Sequence, residues 1–182
     1  MHPLRKKLSF HLAVVAAAVL LSSHAPICLH AQAATNLVDD TPKLDFVYEE
    51  VVTLGASVHP GETPWGERNI VPITGGTFAG PNIKGKILPG GWDWQLASKS
   101  GCHQINADYM IQTDDGVIIN VLNKGTFCPG KGEKSARLLT GPVFEAPLGK
   151  YDWLNDGVYV GTLQGATVDG KPAVRIRFYK AR

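Results

Sequence analysis

Residues 107–123 read ADYMIQTDDGVIINVLN and indicate a chain built from β-strands. Apolar and polar residues alternate on both sides of Asp114-Asp115-Gly116, whose residue types tolerate the positive φ angles of a tight hairpin. A period of two residues is typical of strands that bury one face. The stretch therefore predicts two antiparallel strands, Ala107–Thr113 and Val117–Asn123, joined by a short turn.

The same pattern extends along the chain. Hairpin signals recur at Asn155-Asp156-Gly157 and at Asp169-Gly170, and no long stretch from residue 34 onward has helical periodicity. Further strands are predicted at Leu44–Thr53, Ile70–Thr74, Gly76–Phe78, Asn82–Leu88, Leu138–Glu145, Val158–Leu163 and Val174–Ala181. Many short strands joined by tight turns predict an all-β fold, either a closed or nearly closed antiparallel β-barrel or a sandwich. We favour the barrel because closure removes exposed strand edges.

The first 33 residues have the pattern of a cleavable signal peptide. Basic residues at 5–7 precede the apolar run Leu12–Leu21, and Ala31-Gln32-Ala33 supplies small residues for cleavage. An uncleaved membrane anchor is the alternative, but ten apolar residues are too few to span a bilayer. We therefore predict a signal peptide over 1–33, a flexible tail over 34–43, one domain over 44–182, and a periplasmic or secreted location.

The charge of the mature chain gives no reason to expect a polyanionic partner. The predicted leader contains three of the 18 basic residues and none of the 16 acidic ones, so the mature chain has a net charge of −1. We expect neither nucleic-acid binding nor stable membrane insertion after cleavage. A homo-oligomer remains open.

Two cysteines remain after cleavage. Cys102 and Cys128 form an even pair in an oxidising compartment, which predicts a disulfide closing a loop of 27 residues. Two reduced thiols are the alternative. His59 and His103 lie at no metal-ligand spacing from each other or from the cysteines, so we expect neither a metal nor a cofactor.

Several polar residues lie inside the predicted strands. Alternation places Asp108 with Met110, Gln112 and Asp114 on one face and Tyr109 on the other. That face is either the outside of the barrel or its lumen, where a carboxylate would need a partner such as Arg68. Asp93 lies between Trp92 and Trp94, where desolvation would raise the pKa of its carboxyl group. Trp92-Asp93-Trp94 is expected to begin a strand at the barrel mouth, with alternate residues facing in and out.

Three ordered blocks of the sequence closely resemble one family. Residues 66–96, 107–125 and 144–161 are similar to DUF3237, also called UPF0311, a bacterial and fungal domain family of unknown function. The resemblance covers residues 44–179 and implies a compact antiparallel β-barrel of the calycin or allene-oxide-cyclase kind. The chain departs from the family pattern in its leader, in the Cys102/Cys128 pair and in the loop over 129–135.

The resemblance also directs attention to particular residues. It places eight polar residues at positions of the family pattern: Arg68, Asp93, Asp108, Tyr109, Asp114, Asp115, Tyr151 and Asn155. We expect structural roles for Asp115 and Asn155. The candidate catalytic residues are Asp108 or Asp93 as general base, Tyr109 or Tyr151 as general acid, and Arg68 as stabiliser of an enolate or carboxylate. The candidate ligand-binding residues are Trp92, Trp94, Gln112, Asp114, Tyr151 and Trp153.

Two functions of such a barrel are compatible with these residues. We expect it to bind a small apolar or aromatic compound in its lumen, as a cofactor-independent isomerase, cyclase or lyase that works by proton transfer. The alternative is a non-catalytic carrier of a small hydrophobic ligand. A packed barrel with a structural or inhibitory role is a third possibility.

Overall fold

The computed structural model of the protein describes residues 41–128 and 138–182. The predicted signal peptide and most of the predicted tail lie outside the described residues, as does the loop over 129–135. The described residues form ten strands and one short 3-10 turn: β1 Leu44–Leu54, β2 Val58–Thr63, β3 Gly66–Ala79, β4 Lys84–Ile87, β5 Gly91–Ser98, β6 His103–Thr113, β7 Ile118–Phe127, β8 Leu138–Glu145, the turn Asp152–Leu154, β9 Tyr159–Val168 and β10 Lys171–Ala181.

These strands close into one antiparallel barrel, as predicted. The sheet runs from β1 through β10, β9, β8, β7 and β6 to β4 and β3, and β1 also pairs with β3, which completes the ring. Two of the eight positions in the ring are interrupted strands. β4 and β5 pair one after the other with β3 and with β6, and β2 continues β1 along β3.

The strand β3 is longer than its sequence predicts. It joins the predicted strands Ile70–Thr74 and Gly76–Phe78, because Gly75 and Gly76 adopt φ angles of 140° and 137° and bend the chain without ending the pairing. The sequence pattern also missed β2, which contains Pro60 and Gly61. Both differences arise where glycine or proline occurs inside a paired strand.

The barrel core is aromatic at its centre. Tyr48, Phe144 and Phe178 make edge-to-face contacts, with ring centroids 5.0 to 6.1 Å apart. A register shift between Phe46 and Tyr48 turns Tyr48, Glu50 and Val52 inward and leaves Leu44 and Phe46 exposed. The alternation predicted for β1 is therefore interrupted by a bulge.

One end of the barrel is closed by the segment between β8 and β9. Ala146, Tyr151 and Leu154 are buried in the core cluster, and the Tyr151 hydroxyl donates a hydrogen bond of 2.9 Å to Asp115 Oδ1 in the β6–β7 turn. Asn155 bonds the backbone N–H and C=O of Ala146 and so fixes this segment. The structural roles predicted for Asp115 and Asn155 agree with these contacts.

Candidate functional site

A row of inward positions crosses three neighbouring strands in the middle of the barrel. Asp93 of β5 pairs with Ala107 of β6, and Ala107 pairs with Asn123 of β7. Adjacent strands lie about 4.8 Å apart, so the Cα atoms of Asp93 and Asn123 are separated by about 10 Å. Because the residue between them is alanine, space is left between the carboxyl group of Asp93 and the amide of Asn123.

This space belongs to a cavity of about 110 Å³ in the lumen. Its polar lining comes from Asp93, Gln95, Tyr109 and Asn123. The rest of its lining is apolar: Val52, Leu54, Ile73, Ile105, Ala107, Leu138, Leu163, Val174 and Ile176. Several of these side chains, Leu54, Ile105, Leu138 and Leu163, are only half-buried. Among the described residues, the cavity is therefore more accessible from the side where these four side chains lie than from the barrel end closed by Tyr151.

A buried carboxyl group lies next to the cavity. Glu50 has no exposed surface, and Tyr109 Oη donates a hydrogen bond of 2.5 Å to Glu50 Oε1. Burial raises the pKa of Glu50 from its ordinary 4.5 to about 8, although the bond from Tyr109 acts in the opposite direction. Burial and the nearby Glu50 also raise the pKa of Tyr109. At neutral pH most Glu50 side chains therefore carry a proton and share a short hydrogen bond with Tyr109.

Asp93 is held by hydrogen bonds to both of its oxygens. Gln95 Nε2 donates to Oδ2 at 2.7 Å, and the backbone N–H of Asn106 donates to Oδ1 at 2.9 Å. The amide of Asn69 in turn donates to Gln95 Oε1 at 2.9 Å. Burial raises the pKa of Asp93 more than these hydrogen bonds lower it. The carboxyl group is thus fixed in position, partly desolvated and better able to accept a proton.

The lumen also has hydrogen-bonding groups without partners. Neither side-chain atom of Asn123 has a partner among the described residues, and only 1% of this residue is exposed. The hydroxyl groups of Tyr48 and Thr140 and the Oε2 atom of Glu50 are likewise buried and unpaired within the described part of the chain. Buried polar atoms nearly always have a partner. The lumen therefore has unused capacity to bind a polar group.

The structure does not bring all four predicted catalytic residues into one cavity, although Asp108 and Tyr109 both line an outer groove with Trp92 and Trp94. Asp93 and Tyr109 face the cavity, but Asp108 is exposed on the outer face, because alternation turns it away from its buried neighbour Tyr109. The interpretation that placed Asp108 in the lumen is wrong. Arg68 donates to the backbone carbonyls of Trp94 and Gln95 at 3.3 Å, and no ion pair joins it to Asp108 in the described residues. The geometry on which the predicted roles of Arg68 and Asp108 depended is absent.

The predicted ligand-binding residues lie outside the cavity lining. Trp92 and Trp94 are 42% and 48% exposed on the outer face, and the residue between them points inward, as expected. Gln112 and Asp114 share the outer face with Asp108. Gln112 donates to the Gly116 carbonyl at 3.4 Å, and Asp114 pairs with Lys84 at 3.3 Å.

The last two predicted ligand-binding residues belong to the closed end of the barrel. Tyr151 is buried there and bonds Asp115, while Trp153 packs against the core and its carbonyl accepts a hydrogen bond from Tyr159. Neither residue lines the lumen cavity; Tyr151 instead borders a separate surface pocket of about 290 Å³ together with Asp114.

Glu50 and Asn123 were missed as site residues. Glu50 occupies the same alternation face as Tyr48 and Val52, and Asn123 follows Ile119 and Val121 at inward spacing. A polar residue on the apolar face of a strand was the signal that could have identified both.

The predicted disulfide is present. Cys102 and Cys128 are bridged and join the start of β6 to the end of β7. Over residues 41–128 and 138–182, no group of three or more His, Cys, Asp or Glu side chains is placed to hold a metal ion. No helix in these two ranges is long and apolar enough to cross a membrane.

The fold and site define a class of protein: a small closed β-barrel with carboxyl and other polar groups in a mainly apolar lumen. The chain belongs to the family described as "Protein of unknown function (DUF3237)", whose model matches residues 42–181, and the resemblance seen in the sequence is thereby confirmed.

Relatives of known sequence or structure share this barrel region. A UPF0311 protein of Bradyrhizobium diazoefficiens is 37% identical over 136 residues, which cover 67% of this chain and 89% of the relative. The hydroalkoxylation enzyme phnH of Penicillium herquei is 29% identical over 121 residues, covering 66% and 74% of the two chains. The crystal structure of a β-barrel-like protein of Acinetobacter baumannii matches with a TM-score of 0.69 and 30% identity, covering 80% of this chain and 99% of that one.

Proposed function

We propose that the protein is a cofactor-independent enzyme that transfers protons within a small, mainly apolar compound bound in the lumen. The observation that carries the proposal is the buried Glu50–Tyr109 hydrogen bond next to Asp93, which lines the same cavity as Tyr109. Carboxyl groups with raised pKa values in a cleft are typical of acid–base sites. The similarity to a hydroalkoxylation enzyme supports this class of chemistry.

In the proposed reaction, Asp93 is the general base and Tyr109 the general acid. The Asp93 carboxylate removes a proton from a hydroxyl group or carbon of the substrate. Tyr109 turns its hydroxyl group from Glu50 toward the substrate and gives its phenolic proton to a second substrate atom, such as one end of a double bond. Its oxygen then accepts the proton of Glu50. The substrate keeps its composition, as in an isomerisation or an internal O–H addition. Solvent then returns Asp93 and Glu50 to their starting states.

The proposal is tested by proton exchange in D2O. Protein and a panel of small unsaturated alcohols and phenols are incubated in D2O, and mass spectrometry measures deuterium bound to carbon. Asp93→Asn and Tyr109→Phe should each reduce incorporation by roughly 10²- to 10⁴-fold, the usual contribution of a general acid or base. Asp108→Asn is the matched control, because Asp108 is exposed on the outer face; it should behave like the wild type.

A carrier would give a different result. The mainly apolar lining of the cavity suits a carrier as well as an enzyme. Binding of panel compounds without any exchange would favour the carrier, and equal loss of exchange in Asp108→Asn and Asp93→Asn would contradict the assigned roles.

We also propose that the protein is exported, which the disulfide supports because such bonds persist in oxidising compartments.

A further inference from the structure

Asn123 is the polar residue of the lumen whose hydrogen-bonding capacity is least used. Its Nδ2 and Oδ1 atoms are both buried, and neither has a partner among the described residues. The side chain lines the cavity, and the short side chain of Ala107 is its neighbour in the row. An unpaired buried amide is costly, and a group that both donates and accepts would satisfy it.

The charges around the cavity disfavour anions. None of the described residues that line it is Lys, Arg or His. Asp93 lines the cavity, and Glu50 contacts it through Tyr109. An anion would lose its hydration without gaining a counter-ion and would be repelled by ionised Asp93. The sequence predicts that Arg68 stabilises a carboxylate of the ligand. In the structure, Arg68 instead donates hydrogen bonds to backbone carbonyls of β5.

From this geometry we propose that the lumen selects uncharged molecules that present a hydrogen-bond donor and acceptor side by side, and that Asn123 is the residue that recognises this pair. The polar head of the ligand lies over Ala107, between Asn123 and Asp93. Its apolar part extends toward Leu163 and Val174, which line the same cavity. This inference rests on the proposed function and specifies the class of substrate that the same site takes.

Two probes of nearly equal shape test the selection. Benzamide is neutral and carries a donor and an acceptor, whereas benzoate is an anion at neutral pH. Ligand-observed NMR titrations should show benzamide binding roughly ten- to a hundredfold more tightly, the range expected for an unpaired buried polar group. Equal affinities, tighter binding of benzoate, or no binding of benzamide would overturn the proposal.

Variants identify the residue responsible. Asn123→Leu should weaken benzamide binding by roughly tenfold or more and strengthen binding of toluene, which shows that the lumen is still formed. Asn120→Leu is the matched control, because Asn120 lies on the same strand but lines an outer groove with Trp92 and Met110. Unchanged benzamide affinity in Asn123→Leu, or an equal loss in Asn120→Leu, would refute the role of Asn123.

A third variant tests the position of the head group. Ala107→Leu places a large side chain between Asp93 and Asn123 and should abolish binding of both benzamide and toluene; retention of benzamide would place the ligand elsewhere. Selective benzamide binding without deuterium exchange would preserve this inference and reject the catalytic proposal. Deuterium exchange together with equal binding of benzamide and benzoate would preserve the catalytic proposal and reject this inference.

Discussion

At the scale of single residues, the most informative side chain is Glu50. It is fully buried, its Oε1 atom accepts a hydrogen bond from Tyr109, and its Oε2 atom has no partner in the described residues. A carboxyl group in this environment is stable only while it is protonated. The stability of the fold and the proposed proton transfer would therefore depend on the same titration.

We predict that Glu50 makes the protein less stable as pH rises from 4.5 to 8. The native state keeps the proton up to a pKa of about 8, whereas the unfolded chain releases it near 4.5. Unfolding is then favoured by rising pH across this interval, at a cost of roughly 5 kcal/mol in total. Urea unfolding over this pH range should show that Glu50→Gln removes most of the decline and leaves the part that comes from the raised pKa of Asp93. Glu145→Gln, at an exposed position, should retain the full decline. An unchanged decline in Glu50→Gln would contradict the assignment.

Tyr109→Phe should raise the pKa of Glu50 further. The hydrogen bond from Tyr109 is the interaction that opposes the effect of burial on this carboxyl group. An infrared titration of the protonated carboxyl band, assigned by its absence in Glu50→Gln, measures the change. A lower pKa in Tyr109→Phe would mean that Tyr109 favours the protonated form.

At the scale of strands, the sequence shows which side chains share one face of a strand. It shows less well which of the two faces points into the barrel. The pattern in β6 correctly separated Asp108, Met110 and Gln112 from Tyr109, but alternation alone does not say which face points inward. The bulge near Phe46 and the glycine bend in β3 depend on pairing with distant strands. The fold class was therefore predictable, and the sequence held a signal for Glu50 and Asn123, but only the closed barrel shows that both belong to one lumen.

A close contact between β8, β9 and β10 gives an element-scale prediction. A Cβ atom at Gly161 would lie 2.1 Å from Thr140 Oγ1 and 3.0 Å from the Phe178 ring. Gly161→Ala should therefore cost roughly 1 to 3 kcal/mol, as overpacking of a core does. Gly165→Ala in the same strand meets no atom within 4 Å and should be nearly neutral. Equal melting temperatures for the two variants would contradict the packing described here.

At the scale of the whole molecule, the disulfide joins the start of β6 to the end of β7, outside the row formed by Asp93, Ala107 and Asn123. Replacing both cysteines by serine should lower stability by roughly 3 kcal/mol, because the bridge restricts a loop of 27 residues in the unfolded chain. Differential scanning calorimetry should show a lower melting temperature but still one cooperative transition. A reducing agent should lower the melting temperature of the wild type and leave that of the double variant unchanged. A lower melting temperature of the reduced double variant would mean that the reducing agent acts on something other than this disulfide.

Export gives a second prediction at this scale. The mature protein should begin near Ala34, since Ala31-Gln32-Ala33 satisfies the cleavage pattern. N-terminal sequencing of protein recovered outside the cytoplasm measures this directly. A chain that still began at Met1 would refute cleavage of a signal peptide.

The closure of one barrel end by Tyr151 and Leu154 has a consequence for how a ligand would enter and leave the lumen. Under the proposed function, ligands would enter beside the half-buried Leu54 and Leu163, because the buried Tyr151 closes the other end among the described residues. The substrate and product of the proposed reaction would then pass through the same opening, one at a time. Each turnover must end with departure of the product before the next substrate can enter. Such an enzyme would be inhibited competitively by its own product, because product left in the cavity excludes the next substrate.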